Sequence, residues 1–269
     1  MVALGEASLS LSPLSNFDVG AIAAAAIALV AYRARALNAG GAFAALAVGT
    51  ATYGALGPSG AGVLLAFFVT SVALSRVGRE RKRRTLVDVG KTGARDAAQV
   101  FANGGVAAAS ALAALWVAPR YAAAFAGAFA AATADTWGTE IGTLVRRAPR
   151  SILTLRPIAT GLSGGVTLPG TLGEIAGALA IACAALPLVP HAFVAVSCAG
   201  IAGALLDSVL GASLQSLRWC PQCERATERE PHVCGANTRP LRGLAWFGND
   251  AVNFCATVAG AAVAYGLAR

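Results

Sequence analysis

Residues 133–143, TADTWGTEIGT, decide how this chain is read. They close an apolar run that begins at Tyr121 and is built of Ala, Gly, Thr, Phe and Trp, and they hold two carboxylates, Asp135 and Glu140. A charge inside a membrane-length apolar run costs roughly 2.5 kcal/mol or more, so it persists where it has a task. Asp135 and Glu140 are five residues apart, about 140° around a helix, so a straight helix does not offer both to one metal ion. Asp135 shares its face with Thr139, and Glu140 shares its face with Thr136.

The surrounding composition agrees with a membrane setting. Of 269 residues, 57% are hydrophobic and 13% charged, against about 25% charged in a soluble domain. The formal net charge of +8 is a surplus whose meaning depends on where the cations fall, and no nucleic-acid partner is expected. The first 19 residues carry no Lys or Arg, so no secretory signal is expected there.

Eight stretches have roughly the length a bilayer core needs: 18–36, 40–56, 60–77, 96–118, 121–145, 171–189, 192–217 and 247–268. The second is short, and a partly re-entrant segment there would leave seven. The cations test this layout. Arg33 and Arg35, the run from Arg76 to Arg95, Arg146 to Arg156, and Arg218 to Arg242 fall in alternate connections, leaving only Arg120 and Arg269 of the 21 basic residues on the other side. Cytoplasmic loops are enriched in Lys and Arg, so these four loops are expected in the cytoplasm and both termini outside. The expected class is all-α: a polytopic integral membrane protein of about eight helices in the cell (inner) membrane. It is read as one domain, 1–269, with a polar loop, 218–246, inserted in it.

The same layout gathers the acids. Asp96, Asp135, Glu140, Glu174, Asp207 and Asp250 all fall near the cytoplasmic face. A transport path would spread them through the membrane thickness, whereas a one-sided cluster suits a site that meets cytosolic solutes.

Five further motifs carry candidate chemistry. In 91–105, KTGARDAAQVFANGG, the residues Lys91, Arg95 and Gln99 recur every four positions, and Asn103 continues them into the membrane. On one helix they would present cations and an amide to a polyphosphate. The neighbouring run Arg79 to Arg84 reads instead as a basic segment touching anionic lipid. Residues 154–173, TLRPIATGLSGGVTLPGTLG, contain Arg156, Gly161, Ser163, Gly164, Gly165 and Thr167 and lead into a helix. Glycines let backbone N–H groups approach an anion, and a helix N-terminus favours phosphate, although the pattern is not a Walker A loop. Asp207 with Ser208, and Asn249, Asp250 and Asn253 in GNDAVN, offer oxygen ligands of the kind Mg²⁺ takes, or act as caps and interhelical hydrogen bonds. Finally, Cys220, Cys223, His232 and Cys234 follow the order of a compact zinc knuckle. They lie in a loop expected in the cytoplasm, where a disulfide is disfavoured, so a structural Zn²⁺ is expected, with a redox switch or unligated thiols as the alternatives.

With KTGARDAAQVFANGG, ATADTWGTEIGTL, PRSILT, GLSGGVTLPGTLG, LLDSVLGASLQ, the cysteine loop and GNDAVN in view, the chain resembles the phytyl-phosphate kinase family from about residue 40 onward. The resemblance implies conversion of an isoprenyl monophosphate to the diphosphate, with a nucleoside triphosphate donor and a divalent metal. A general likeness to polyprenol kinases and membrane cytidylyltransferases favours CTP.

The expected activity is therefore γ-phosphate transfer at the cytoplasmic interface of the bilayer, with a homodimer compatible with the sequence. Lys91 and Arg95 are expected on phosphates, and Asp135, Asp207 and Asp250 on Mg²⁺. The Gly161–Gly165 loop is expected on the donor, and Glu140 orients Arg95 or a ligand. Gln99, Asn103, Thr139, Arg156, Thr167, Ser208, Asn249 and Asn253 complete the expected substrate and nucleotide contacts. The rival activities are a cytidylyltransferase that makes a CDP-lipid and a transporter of an anionic lipid or solute.

Overall fold

A computed structural model describes residues 13–80, 82, 93–145 and 148–268. Their framework is seven helices: α1 (Pro13–Arg33), α2 (Ala39–Arg76), α3 (Ala97–Trp116), α4 (Tyr121–Gly142), α5 (Leu168–Ala184), α6 (Phe193–Ser213) and α7 (Asn249–Leu267). Five of these, α1, α2, α3, α6 and α7, are long and apolar enough to cross a membrane.

Helix α2 is two spans, and its sequence says where it breaks. Gly57 has φ 60° and ψ −152°, and Pro58 follows it. Only glycine occupies that backbone region readily, and Pro58 has no N–H to continue the ladder. The chain doubles back here. A Cβ placed on Gly60 would lie 3.4 Å from the carbonyl of Thr52, whereas eight residues of straight helix advance about 12 Å. Arg95 gives the same answer. Its carbonyl lies against Gly41 while its guanidinium sits 5.9 Å from the Phe67 ring, and those two residues would be about 39 Å apart on a straight helix. The arms, 39–56 and 58–76, are the second and third of the eight spans in the sequence.

Helix α4 is the axis of the bundle. Every residue from Ala122 to Ala134 is buried, and α4 packs against α2, α3, α5, α6 and α7. Small residues allow this. A Cβ on Gly260 of α7 would meet the Gly127 carbonyl at 2.6 Å, one on Gly203 of α6 would meet the Ala131 Cβ at 2.3 Å, and one on Gly177 of α5 would meet the Thr133 carbonyl at 3.0 Å. Helices surrounded by lipid gain little from apolar burial and associate through such close backbone contact. Phe125, Phe129 and Phe67 fill the wider gap toward α2, with ring centroids 5.2 and 5.3 Å apart.

The bundle has two distinct ends. At one, Arg120 lies over the Tyr265 ring at 3.7 Å and donates to its carbonyl, joining the start of α4 to the end of α7. At the other, the basic end, lie the connections that carry most of the cations.

Short strands in two of these connections depart from the all-helical expectation. β1 (Arg150–Ser151) pairs antiparallel with β2 (Gly165–Val166). β3 (Leu217–Cys220), β4 (Arg225–Thr227) and β5 (Arg239–Arg242) form a sheet in the order β4-β3-β5. Segments of two to four residues are too short to show an alternating pattern in the sequence. The same strands move two boundaries. α6 stops at Ser213 because Leu217 opens β3. α5 starts at Leu168, where Thr167 caps it and Pro169 fits the first turn.

Candidate functional site

Arg95 is the cation best placed for a ligand. It precedes α3 rather than lying on it: its backbone bridges to Leu37, and Asp96 caps the helix with Gln99 in a reciprocal capping box. The expectation that Lys91, Arg95 and Gln99 share a helical face is therefore corrected, because the helix begins at Ala97. Lys91 itself lies outside the described residues. The Arg95 guanidinium heads an apolar pocket between α1, both arms of α2 and α3, with about 890 Å³ of empty space, its open side included. Gln99 and Asn103 line the same wall. Each also bonds within its own helix: Gln99 Oε1 accepts from the Asp96 N–H, and Asn103 Nδ2 donates to the Gln99 carbonyl.

The carboxylates gather where α4, α5 and α6 meet. Asp135 of α4 and Asp207 of α6 meet within hydrogen-bonding reach. Glu174 of α5 and Glu228 of the polar loop are near enough for their charges to act on Asp207. Gly138 makes room for Glu174, since a Cβ there would meet its Cγ at 2.5 Å. Asp207 Oδ2 is buried without a hydrogen-bond partner among the described residues. Convergent carboxylate oxygens, one of them unsatisfied, are the donor set of a hard divalent cation, so these residues fit Mg²⁺. Asp250 stands half-buried in the first turn of α7, which packs on α6.

Glu140 turns away from Asp135, as helical spacing requires. It forms a salt bridge with Lys82, which also donates to the Leu74 carbonyl and has 7% of its side chain exposed. Its charge also reaches Arg95. Lys82 thereby corrects the reading of Arg79 to Arg84 as a lipid-facing run: this member points into the protein.

The Gly161–Gly165 loop is not the open phosphate cradle the sequence suggests. Gly164, at φ 80°, abuts α6, and a Cβ there would lie 2.5 Å from the Ala212 nitrogen. The Ser163 N–H donates to Glu228 Oε1 at 2.9 Å. The Thr167 hydroxyl accepts from the Gly170 N–H at 3.1 Å and caps α5. Arg242 donates to the carbonyls of Gly211 and Ala212 and closes the end of α6. The loop and the polar insertion are thus both tied to the helix that carries Asp207. Arg156, Thr139 and Asn249 are exposed, while Ser208 and Asn253 are half-buried.

Within the insertion, the ligand atoms of Cys220, Cys223, His232 and Cys234 all lie within 4.8 Å of one another. Cys220 Sγ is 3.6 Å from Cys234 Sγ, and His232 Nδ1 is 3.2 Å from Cys234 Sγ. Two thiolates on a tetrahedral zinc stand about 3.7 Å apart, so the four residues fit that ion. The hydrogen bond from His232, helped by the Ala236 backbone, pulls the Cys234 thiol down to about 6. It is mostly thiolate at neutral pH, the form that binds metal.

The model of the integral membrane family DUF92 matches residues 22–261 of this chain. The chain belongs to that family. Among curated proteins it is 28% identical to Protein PGR of Arabidopsis thaliana over 90% of this chain and 93% of the relative. It is 34% identical to an uncharacterized membrane protein of Methanocaldococcus jannaschii over 56% of this chain and 63% of that one. It is 28% identical to an uncharacterized membrane protein of Synechocystis over 82% and 78%. No solved structure matches it.

In this DUF92 chain, the residues that sequence reasoning passed over are Lys82, Glu228 and Arg242. Lys82 is hidden in a charge run, and the other two lie in a polar loop where charge is unremarkable. Glu174 carried a usable signal, as a carboxylate near the start of an apolar helix.

Proposed function

We propose that this protein transfers the γ-phosphate of a nucleoside triphosphate to an isoprenyl monophosphate held in the bilayer, giving the diphosphate. The observation that carries this reading is a cation, Arg95, at one end of an apolar pocket, with a cluster of carboxylates where α4, α5 and α6 meet. An amphiphile with an anionic head fits the first, and the metal of a nucleoside triphosphate fits the second. The chain's resemblance to the phytyl-phosphate kinase family supports the same chemistry, and the preference for CTP rests only on the general likeness to polyprenol kinases and membrane cytidylyltransferases.

An oxygen of the acceptor phosphate attacks the γ-phosphorus. A new P–O–P bond forms, the β–γ bridge breaks, and the nucleoside diphosphate leaves. The acceptor oxygen is already ionised at neutral pH, so positioning and charge neutralisation do the work. Arg95 holds the acceptor phosphate, and Glu140, fixed by Lys82, sets the field around Arg95. Asp135, Asp207 and Glu174 would hold Mg²⁺, with Asp250 as a further candidate ligand. That ion would neutralise charge on the transferred group. Zn²⁺ on Cys220, Cys223, His232 and Cys234 would keep the insertion folded against α6. By the distribution of cations, the basic end faces the cytoplasm of the cell membrane and both termini lie outside.

The test is incubation of the purified protein with Mg²⁺, γ-labelled nucleoside triphosphates and prenyl monophosphates. Labelled prenyl diphosphate is the expected product. Transfer of the nucleotide with release of pyrophosphate would establish the cytidylyltransferase instead. Flux through proteoliposomes without any nucleotide would establish a transporter.

A further inference from the structure

The pocket below Arg95 has a floor. A Cβ on Gly20 of α1 would lie 3.0 Å from Tyr53 Cβ, and one on Gly54 would meet the Phe17 ring at 2.1 Å. The reversal of α2 at Gly57 and Pro58 follows. Ala61, early in the second arm, lines the same end. From the Arg95 end, the wall runs along α1 from Ala31 to Gly20, about 16 Å, and along the first arm of α2 from Ala45 to Tyr53, about 12 Å. An extended chain advances about 1.2 Å per bond, so about 10 to 13 carbons reach the floor.

One feature points to the occupant. The Arg95 guanidinium supplies positive charge at one end of a wall that is apolar apart from Gln99, Asn103, Thr52 and Tyr53. Ile27 lines the pocket and is 40% exposed, so one side opens between the helices toward the bilayer.

We propose that this pocket is a tail gauge. It holds a single-chain amphiphile by an anionic head at Arg95 and measures about the first 10 to 13 chain carbons against Tyr53 and Ala61. Longer tails turn back at the floor and leave past Ile27 into the membrane, so the gauge reads the proximal part of the chain and tolerates what lies beyond. The inference rests on Arg95 being the head-group cation of the proposed reaction.

Photolabelling tests it. Alkyl phosphates carrying a diazirine near the head, at the twelfth carbon, or at the end of a hexadecyl chain are added to the full chain in lipid nanodiscs. Adducts are then located by mass spectrometry. The head-proximal probe is expected to label Phe67 or Gln99, and the dodecyl probe Gly20, Tyr53 or Ala61. The hexadecyl terminus is expected to label lipid or Ile27. Ala61→Phe shortens the pocket and moves the dodecyl adduct toward Val48. Tyr53→Ala lengthens it and brings the hexadecyl terminus to the floor.

Labelling of lipid-facing residues such as Ile22 and Val30, whatever the probe, overturns the gauge. So do adducts that neither variant moves. The head-group reading is tested separately by Arg95→Gln, expected to reduce labelling by every probe at least tenfold, about the effect of losing one charge-assisted hydrogen bond. If dodecanol labels the floor as well as dodecyl phosphate does, the gauge stands and the anionic head is refuted.

Discussion

Lys82 and Glu140 meet across 58 residues of sequence, and neither has a neighbour in the chain that announces the other. Glu140 was legible because it interrupts an apolar run. Lys82 was not, because it sits among five other charged residues from Arg79 to Arg84 that look alike in sequence. Removing one partner of a buried pair strands the other, whereas removing both leaves nothing stranded. Lys82→Met is therefore expected to lower stability by about 2–4 kcal/mol, toward the low side of the buried range because Glu140 keeps 21% exposure. The double variant Lys82→Met, Glu140→Leu should recover at least half of that loss. Denaturation in detergent measures both, and equal loss in single and double variants would show that the pair contributes through packing alone. Asp207 belongs to the same scale. Its buried Oδ2, without a hydrogen-bond partner among the described residues, gives Asp207→Asn a specific signature. The proposed activity should fall about 100-fold or more, because metal-borne charge stabilisation is lost at the transferring group. Stability should hold or rise, because one carboxyl is removed from a crowded cluster whose members disfavour one another's charge. Activity within a factor of two of wild type would remove Asp207 from the metal.

The helices themselves were mostly readable from apolar length, and the turns of charge between them fixed their order. The eight-span layout already placed a break between 56 and 60, with a re-entrant segment as its alternative. Gly57-Pro58 is a common breaker pair, compatible with a bend, a re-entrant loop or a full reversal. Only the contacts of Gly60 with Thr52, and of Arg95 with both arms, distinguish the reversal. At φ 60° and ψ −152° a side chain is strained whatever the space around it, and no atom lies within 4 Å of an added Cβ. Gly57→Ala should therefore cost about 1–3 kcal/mol through backbone strain alone. A thermal melt should move down with no change in the helical signal of the folded state. A variant as stable as wild type would mean the turn adopts another backbone at no cost. The capping of α3 shows the opposite kind of error. The spacing of Lys91, Arg95 and Gln99 was real, but periodicity has no meaning outside the helix, and Asp96 ends the helix before it reaches Arg95.

At the scale of the whole molecule, the membrane bundle and the polar insertion are joined through the end of α6. Arg242 closes that helix, Glu228 holds the Ser163 N–H, and Gly164 packs on Ala212. The insertion is small, with two short strand pairings around the cysteines and the histidine that could hold a metal. It lacks an apolar core of its own, and small folds of this kind depend on a metal for most of their stability. Zinc removal should accordingly act locally first. Cys223→Ser, or the wild type treated with a strong chelator, should lose bound zinc and become open to proteolysis between residues 214 and 248. Helical content should stay near that of the intact protein, because α4 packs chiefly against the other helices. Protection of the 161–166 amides from hydrogen exchange should fall with the zinc, since the Glu228 contact depends on the folded insertion. If zinc leaves and those amides keep their protection, the insertion is merely attached to the site. If protection is lost together with the proposed transferase activity, zinc acts at a distance by holding the glycine loop on the helix that carries Asp207.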